Sequence, residues 1–235
     1  MRHFTLSLHL SSALVKLQKF IVKHVYADHN KSKSVAKILP QLLRQNESGV
    51  MLNIGAGDTR IHPDVINLDV YESPNVDIVA SATCIPFSDC SVDLVVSQEV
   101  LEHVPDPSAV LEEIYRVLRP SGCLYLQLPW IIGYHGCPRD FWRFSRDGIL
   151  QIAANAGFSV QEFGVTVGPF TGFYRVAVEA SAILGSLFST RLYKPFKLAA
   201  AIVLLPIKVL DQIALNSQEA HRLAGGFFIV AIKEK

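Results

Sequence analysis

The stretch MLNIGAGDTR, Met51 to Arg60, decides the fold. Val50 to Ile54 suit a buried strand, and the chain then runs into Gly55-Ala56-Gly57 and the polar Asp58-Thr59-Arg60. Glycines at a strand end serve a tight turn, or they let a ligand reach the backbone. Two glycines cannot separate these readings, so the neighbours must.

From residue 50 onward, strand-like and helix-like segments alternate, which marks a parallel sheet covered by helices. Strands are predicted at Val50–Ile54, Val65–Asp69, Asp77–Val79, Val92–Ser97 and Cys123–Leu128. Between the last two, Val110, Leu111, Ile114, Val117 and Leu118 make one helical face over 107–118. Pro120-Ser121-Gly122 reads as the turn that ends this helix. A further helix runs from Ser145, an N-cap with Asp147 at the positive dipole end, to Gly157 at the C′ position. Strands at Phe158–Phe163 and Gly226–Lys233 complete the pattern.

A glycine turn at the carboxyl edge of a parallel strand lies where open α/β folds bind ligands. The next strand ends in Asp69, whose carboxylate can accept hydrogen bonds from both hydroxyls of a ribose. A dinucleotide dehydrogenase fits badly. Its third glycine is replaced by Arg60, and its acid lies about 20 residues downstream. Only the eleven residues Gly55 to Val65 separate the strands here, and Pro63 leaves no room for a regular helix.

The ordered motifs resemble those of the class I S-adenosylmethionine-dependent methyltransferases over residues 50 to about 163. LNIGAG resembles the first motif and NLD the second. IPFSDCSVDLVVSQEVLEHV matches the third and fourth, and LEEIYRVLRPSGCLYLQLP the following helix and strand. The resemblance implies a Rossmann-like sheet, mostly parallel with an antiparallel last strand and helices on both faces. It implies S-adenosyl-L-methionine as cofactor, and it assigns roles by position. Asn53, Gly55, Ala56 and Gly57 meet the methionine part, and Asp69 holds the ribose. Ser81 and Ala82, with Ile85 or Phe87, meet the adenine, and Gln98 and Glu99 face the sulfonium side. Two positions depart from the family pattern. Asn53 and Ser81 stand where acids are common, so two charge-assisted bonds worth about 1.5–3 kcal/mol each are lost or weakened.

Methyl transfer needs alignment, exclusion of water and removal of an acceptor proton. The expected acceptor loop is PWIIGYHGCPRDFWRFSRDG. Its His135 and Asp140, with His103 of LEHV, are the candidate catalytic groups. Trp130, Tyr134, Trp142 and Arg143 are the candidate substrate contacts. For His103 the alternative is an anchor of its own turn, and for Asp140 an ion pair with Arg143. The reaction needs no metal, and a His135–Cys137 pair lacks matching ligands, so no metal is expected. The aromatic and charged loop suits a small-molecule or glycan-type acceptor, most simply by O-methylation. A cofactor-binding or membrane-peripheral interaction protein without catalytic activity is the alternative.

Composition bounds these readings. A net charge of +1 over 235 residues implies no general attraction to nucleic acid. Four cysteines without a Cys-x-x-Cys pairing suit reduced thiols in the cytoplasm. Half of the residues are apolar, and that excess has an address. Leu6, Leu10, Leu14, Leu17, Ile21 and Val25 form one stripe, so 1–49 reads as an N-terminal helical segment and not a signal peptide. Residues 50–164 with 225–235 form the methyltransferase domain, and 165–224 a hydrophobic helical insertion. Its runs at 176–188 and 198–207 are too short to span a bilayer, and Pro195 and Pro206 favour broken helices. The expected partner of 176–210 is a membrane surface, by peripheral contact, or a second copy of the chain.

Overall fold

A computed structural model describes Ser32 and residues 35–234. The apolar stripe from Leu6 to Val25 lies outside the described residues. Helix α1 (Val35–Gln45) is followed by β1 (Met51–Ile54), β2 (Val65–Asp69), β3 (Ile78–Val79) and β4 (Val92–Gln98). Then come α2 (Pro107–Val117), β5 (Leu118–Pro129), α3 (Arg146–Asn155) and β6 (Phe158–Val167). Helices α4 (Pro169–Phe188), α5 (Tyr193–Val203) and α6 (Asp211–Ala214) precede the last strand, β7 (Gly226–Lys233).

The seven strands form one sheet in the order β3-β2-β1-β4-β5-β7-β6. Pairing is parallel from β3 to β5, whereas β7 runs antiparallel to both of its neighbours. This is the Rossmann-like sheet expected, with helices on both faces. β1 and most of β4 are buried throughout, as strands covered on both sides must be. On β7 the pleat sends Phe227 and Ile229 to one core and Phe228 and Val230 to the other. The first core packs α2 and α3 on the sheet, and the second packs α1.

Local signals explain most boundaries. Asp106 Oδ1 caps α2 by accepting the Ser108 and Ala109 N–H groups, with Pro107 at the first position. Ser145 Oγ accepts the Gly148 N–H at 3.2 Å, and Gly157 takes φ +91° beyond the end of α3. Pro120-Ser121-Gly122 behaves differently from expectation. The backbone leaves α2 directly into β5, and these residues lie within the strand, Ser121 at φ +65°. Pairing with β4 skips from Leu118 to Cys123, with a register shift opposite Val92–Leu94, so a bulge within the strand replaces the turn. β6 also runs four residues past Phe163, held by the antiparallel β7.

The insertion is a helical layer. Asp211 is buried, and its two carboxylate oxygens accept the Phe170 and Thr171 N–H groups at 2.8 Å each. This carboxylate satisfies the positive end of α4 from 40 residues away. Gly185 lies against the Phe196 ring, which lets α5 approach α4 closely, and Tyr174 O–H donates to the Ala201 carbonyl. The apolar run 198–207 is broken after Val203, where 3₁₀ turns spanning Leu205–Leu210 take over at Pro206. No described helix is long and apolar enough to cross a membrane.

Candidate active site

β1, β2 and β4 end at one edge of the sheet, and a cavity of about 600 Å³ opens there. Gly55 (φ +69°) and Gly57 (φ +53°) both turn in the left-handed region. They do so for different reasons. A Cβ on Gly55 would come within 2.2 Å of Val100 Cγ2, whereas one on Gly57 would meet nothing within 4 Å. Gly55 is thus required by packing, and Gly57 borders open space at the cavity wall. Asp69 stiffens this turn: Oδ2 accepts the Gly57 N–H at 2.8 Å and Oδ1 the Tyr71 N–H at 2.9 Å.

Arg60, the residue standing in for a third glycine, clamps the loop from outside. It donates to the Val65 and Asn75 carbonyls and pairs with Asp77 at 2.7 Å. The Arg60 guanidinium, aided by the Asn67 N–H, holds the Asp77 carboxyl below its usual range. A side chain is needed at this position because the loop has no helix of its own.

The predicted cofactor residues do not all meet. Gly55, Gly57, Asp69, Ser81, Ala82 and Glu99 line the cavity. Asn53, Ala56 and Gln98 do not. Asn53 is buried inside the sheet, where its Nδ2 donates to Asn67 Oδ1 across the β1–β2 register. Its departure from an acid therefore removes no charge from the cavity wall. Ala56 is buried beside the turn, and Gln98 bonds Gln127 on β5. Ile85 and Phe87 pack into the core beneath α2 and line no part of the cavity. Ser81 hydroxyl is bonded to that of Thr83 at the exposed rim.

Past β4 the backbone is strained: Glu99 sits at φ +56°, the sort of outlier that clusters at functional sites. Burial first, then the charge of Glu102, raises the Glu99 carboxyl above its ordinary range, opposed by Arg175 of α4 and by Gln127. Arg175 is in turn held below its usual value by burial, so the insertion reaches the site electrostatically.

The loop after β5 folds over this edge and is pinned to the turn after β4. Phe141 N–H donates to the Glu102 carbonyl at 2.7 Å, and Trp142 Nε1 to the Val104 carbonyl at 3.0 Å. His103 Nδ1 lies 2.6 Å from the Arg139 carbonyl. Cys137 and Pro138 thereby join His103 and Val104 in lining the cavity. Asp140 accepts two bonds from Arg143, at 2.5 and 2.6 Å, and one from the His135 N–H. Arg143 first of all, with the His135 N–H helping, holds the Asp140 carboxyl down to about 2. That makes Asp140 an anchor of the loop and a poor base. His135 is raised above its ordinary value, chiefly by Glu102, with burial opposing and Asp140 adding. Trp130 packs against the core, whereas Tyr134 and Trp142 are exposed on the loop.

Sequence reasoning missed Glu102. It is wholly buried and lies between His103 and His135. The only signal was its place in LEHV, where a glutamate reads as a solvated residue of a turn.

Residues 58–126 match the family model described as a methyltransferase domain. Among curated proteins, the chain is 28% identical over 148 residues to a ubiquinone biosynthesis O-methyltransferase of Thiobacillus denitrificans, covering 54% of this chain and 63% of that one. It is 35% identical over 117 residues to an uncharacterized 37.1 kDa protein in transposon TN4556 of Streptomyces fradiae, covering 43% and 33%. The chain thus spans less than two thirds of either relative's length. Among solved structures, it superposes with a TM-score of 0.50 and 18% identity on a chain of the complex between the Haloferax volcanii Trm112 methyltransferase activator and a methyltransferase, covering 96% and 97%. That likeness speaks to the fold.

Proposed function

Because the chain carries a class I S-adenosylmethionine-dependent methyltransferase domain, we propose that it transfers a methyl group to an oxygen of a small-molecule or glycan-type acceptor. The observation that carries this reading is the cavity at the sheet edge. Its Gly57 wall is open, Asp69 stands at the end of β2, and the loop 134–144 closes over the side where Glu99 and His103 emerge.

The chemistry that the cofactor supplies is in-line transfer of a methyl group from sulfonium sulfur to a nucleophile. The chain's own residues do the rest. Gly57 lets the backbone approach the ligand without a side chain between them. Asp69, whose oxygens each already accept one backbone N–H, keeps lone pairs for the two ribose hydroxyls. Ser81 offers a hydroxyl at the adenine end, a weaker partner than an acid. The loop held by Arg143 and Asp140 keeps water from the methyl end, and His103 lines the cavity wall, while His135 stands behind it against Glu102.

The insertion supports a membrane-proximal acceptor. Ile183, Leu184, Leu187 and Phe188 on α4, with Val203 and Ile213, are exposed together with Arg191 and Lys194. This composition suits shallow burial in an anionic lipid surface. Free thiols at all four cysteines suit a reducing, cytoplasmic setting.

The test of the enzymatic reading is calorimetric titration of purified protein with S-adenosylhomocysteine, alongside mass spectrometry for co-purified ligand. Micromolar binding of one equivalent is expected. No heat at millimolar ligand, with the fold intact by circular dichroism, overturns the reading.

A further inference from the structure

The turn after β4 contains a group that methyl transfer leaves unexplained. Glu102 is wholly buried, and neither of its carboxylate oxygens meets a hydrogen-bond donor. Proteins do not keep a buried carboxylate charged without a cation or a full set of donors. Nε2 of His103 and Nε2 of His135 each lie 3.7 Å from Oε1. That is too long for a hydrogen bond. The Nε2 atom of His135 is also buried without a partner.

The three candidate ligand atoms lie within 4.8 Å of one another. Around a first-row ion with bonds of about 2.0–2.2 Å, neighbouring ligands sit roughly 3–3.5 Å apart, so the gap is close to the size of one ion. The His103 ring is also oriented for such an ion. A carbonyl can only accept, so His103 must carry its proton on Nδ1, facing Arg139, and a neutral ring then bares its Nε2 lone pair toward Glu102. A metal-bound histidine almost always has its second nitrogen backed by a carbonyl or carboxylate, as His103 has. His135 differs: its Nδ1 lies 3.5 Å from Arg143 Nη2 and 3.6 Å from Asp140, so no acceptor holds a proton there. The rings meet edge to face, 5.0 Å between centroids.

We propose that Glu102, His103 and His135 form a binding site for a divalent first-row metal ion, with two imidazoles and one carboxylate as ligands. Two nitrogens and an oxygen suit Zn²⁺, Mn²⁺ or Fe²⁺ and leave coordination positions open. His103 lines the cavity, so an open position there would grip an acceptor oxygen and polarise it. This purpose rests on the methyl-transfer reading, but the binding of the ion does not. The expectation of no metal rested on a reaction that needs none and on a His135–Cys137 pair without matching ligands. The fold pairs it instead with Glu102 and His103.

The experiment is calorimetric titration of the chelator-stripped full chain with Zn²⁺, and with Mn²⁺ followed by electron paramagnetic resonance. One equivalent of either ion should bind to the wild type, at least tenfold more weakly to His103→Ala, and more weakly still to Glu102→Gln. Should Glu102→Gln fail to fold, His103→Ala and His135→Ala carry the test, since both side chains lie partly at the surface. Undiminished binding in the double variant His103→Ala, His135→Ala overturns the site, because it places the ion elsewhere. No stoichiometric binding of either ion to the wild type also overturns it, leaving an imidazolium of His135 as the partner of Glu102. Titration of the same stripped protein with S-adenosylhomocysteine tests the methyltransferase reading separately.

Discussion

At Asp69 one carboxylate both braces the fold and borders the cavity. It ties the turn after β1 to β2 through the Gly57 N–H, and it faces the cavity. Asp69→Ala should weaken S-adenosylhomocysteine binding at least about tenfold, since two charge-assisted bonds go with it. Unchanged calorimetric affinity would place the ribose elsewhere. The two glycines of the same turn should separate. Gly55→Ala combines a left-handed φ with a clash on Val100, and is expected to cost about 3 kcal/mol of stability. Gly57→Ala meets no atom and should cost only about 1 kcal/mol, while weakening the cofactor complex by obstructing backbone approach. Thermal melts and calorimetry on the pair check this, and equal losses of stability would contradict it. Asn53 shows how far a motif can mislead at this scale. Its position pointed to the cofactor, whereas the register of β1 on β2 turns it to Asn67.

Among the elements, the insertion departs most from a minimal sheet-and-helix domain. Its helices keep few basic groups free beside the apolar face. Lys197 pairs with Glu179 at 2.7 Å, and Lys208 sits over the Tyr174 ring, whereas Arg191 and Lys194 are exposed. Leu187 and Phe188 are 74% and 82% exposed, so they can be changed without opening a core. The full chain should float with anionic liposomes in low salt. Leu187→Asp with Phe188→Asp should leave it at the bottom, with an unchanged melting temperature. If the wild type also stays down, the face belongs to a protein contact, and a second copy is the first partner to test by sedimentation.

Over the whole molecule, the sheet divides the thiols into two classes. Cys84, Cys90 and Cys137 are exposed, whereas Cys123 lies on β5 with its thiol pushed up to about 11 by burial. At pH 8 a thiol reagent should therefore modify three cysteines quickly and Cys123 only as the sheet opens, which mass spectrometry over a denaturant series would follow. Equal rates for all four would mean that β5 is not held as described. The succession of strands along the chain, the glycine turn, the acid at the end of β2 and the caps of α3 were legible in the sequence. Each depends on residues near in the chain, where periodicity and backbone preference act directly. The strand irregularity at Pro120–Gly122 was not legible, because the pairing of Leu118 and Cys123 with β4 on either side carries the turn residues into the strand as a bulge. Nor was the role of Glu102, because its neighbours are His103 beside it and His135, delivered by a loop 33 residues on. Such a juxtaposition exists only after β5 has crossed the sheet and its loop has been pinned back by Phe141 and Trp142. The sequence by itself determined the sheet and the ligand-binding edge. Tertiary structure alone decided which charges are buried there and which side chains face them, because burial and long-range contact are properties of the folded chain.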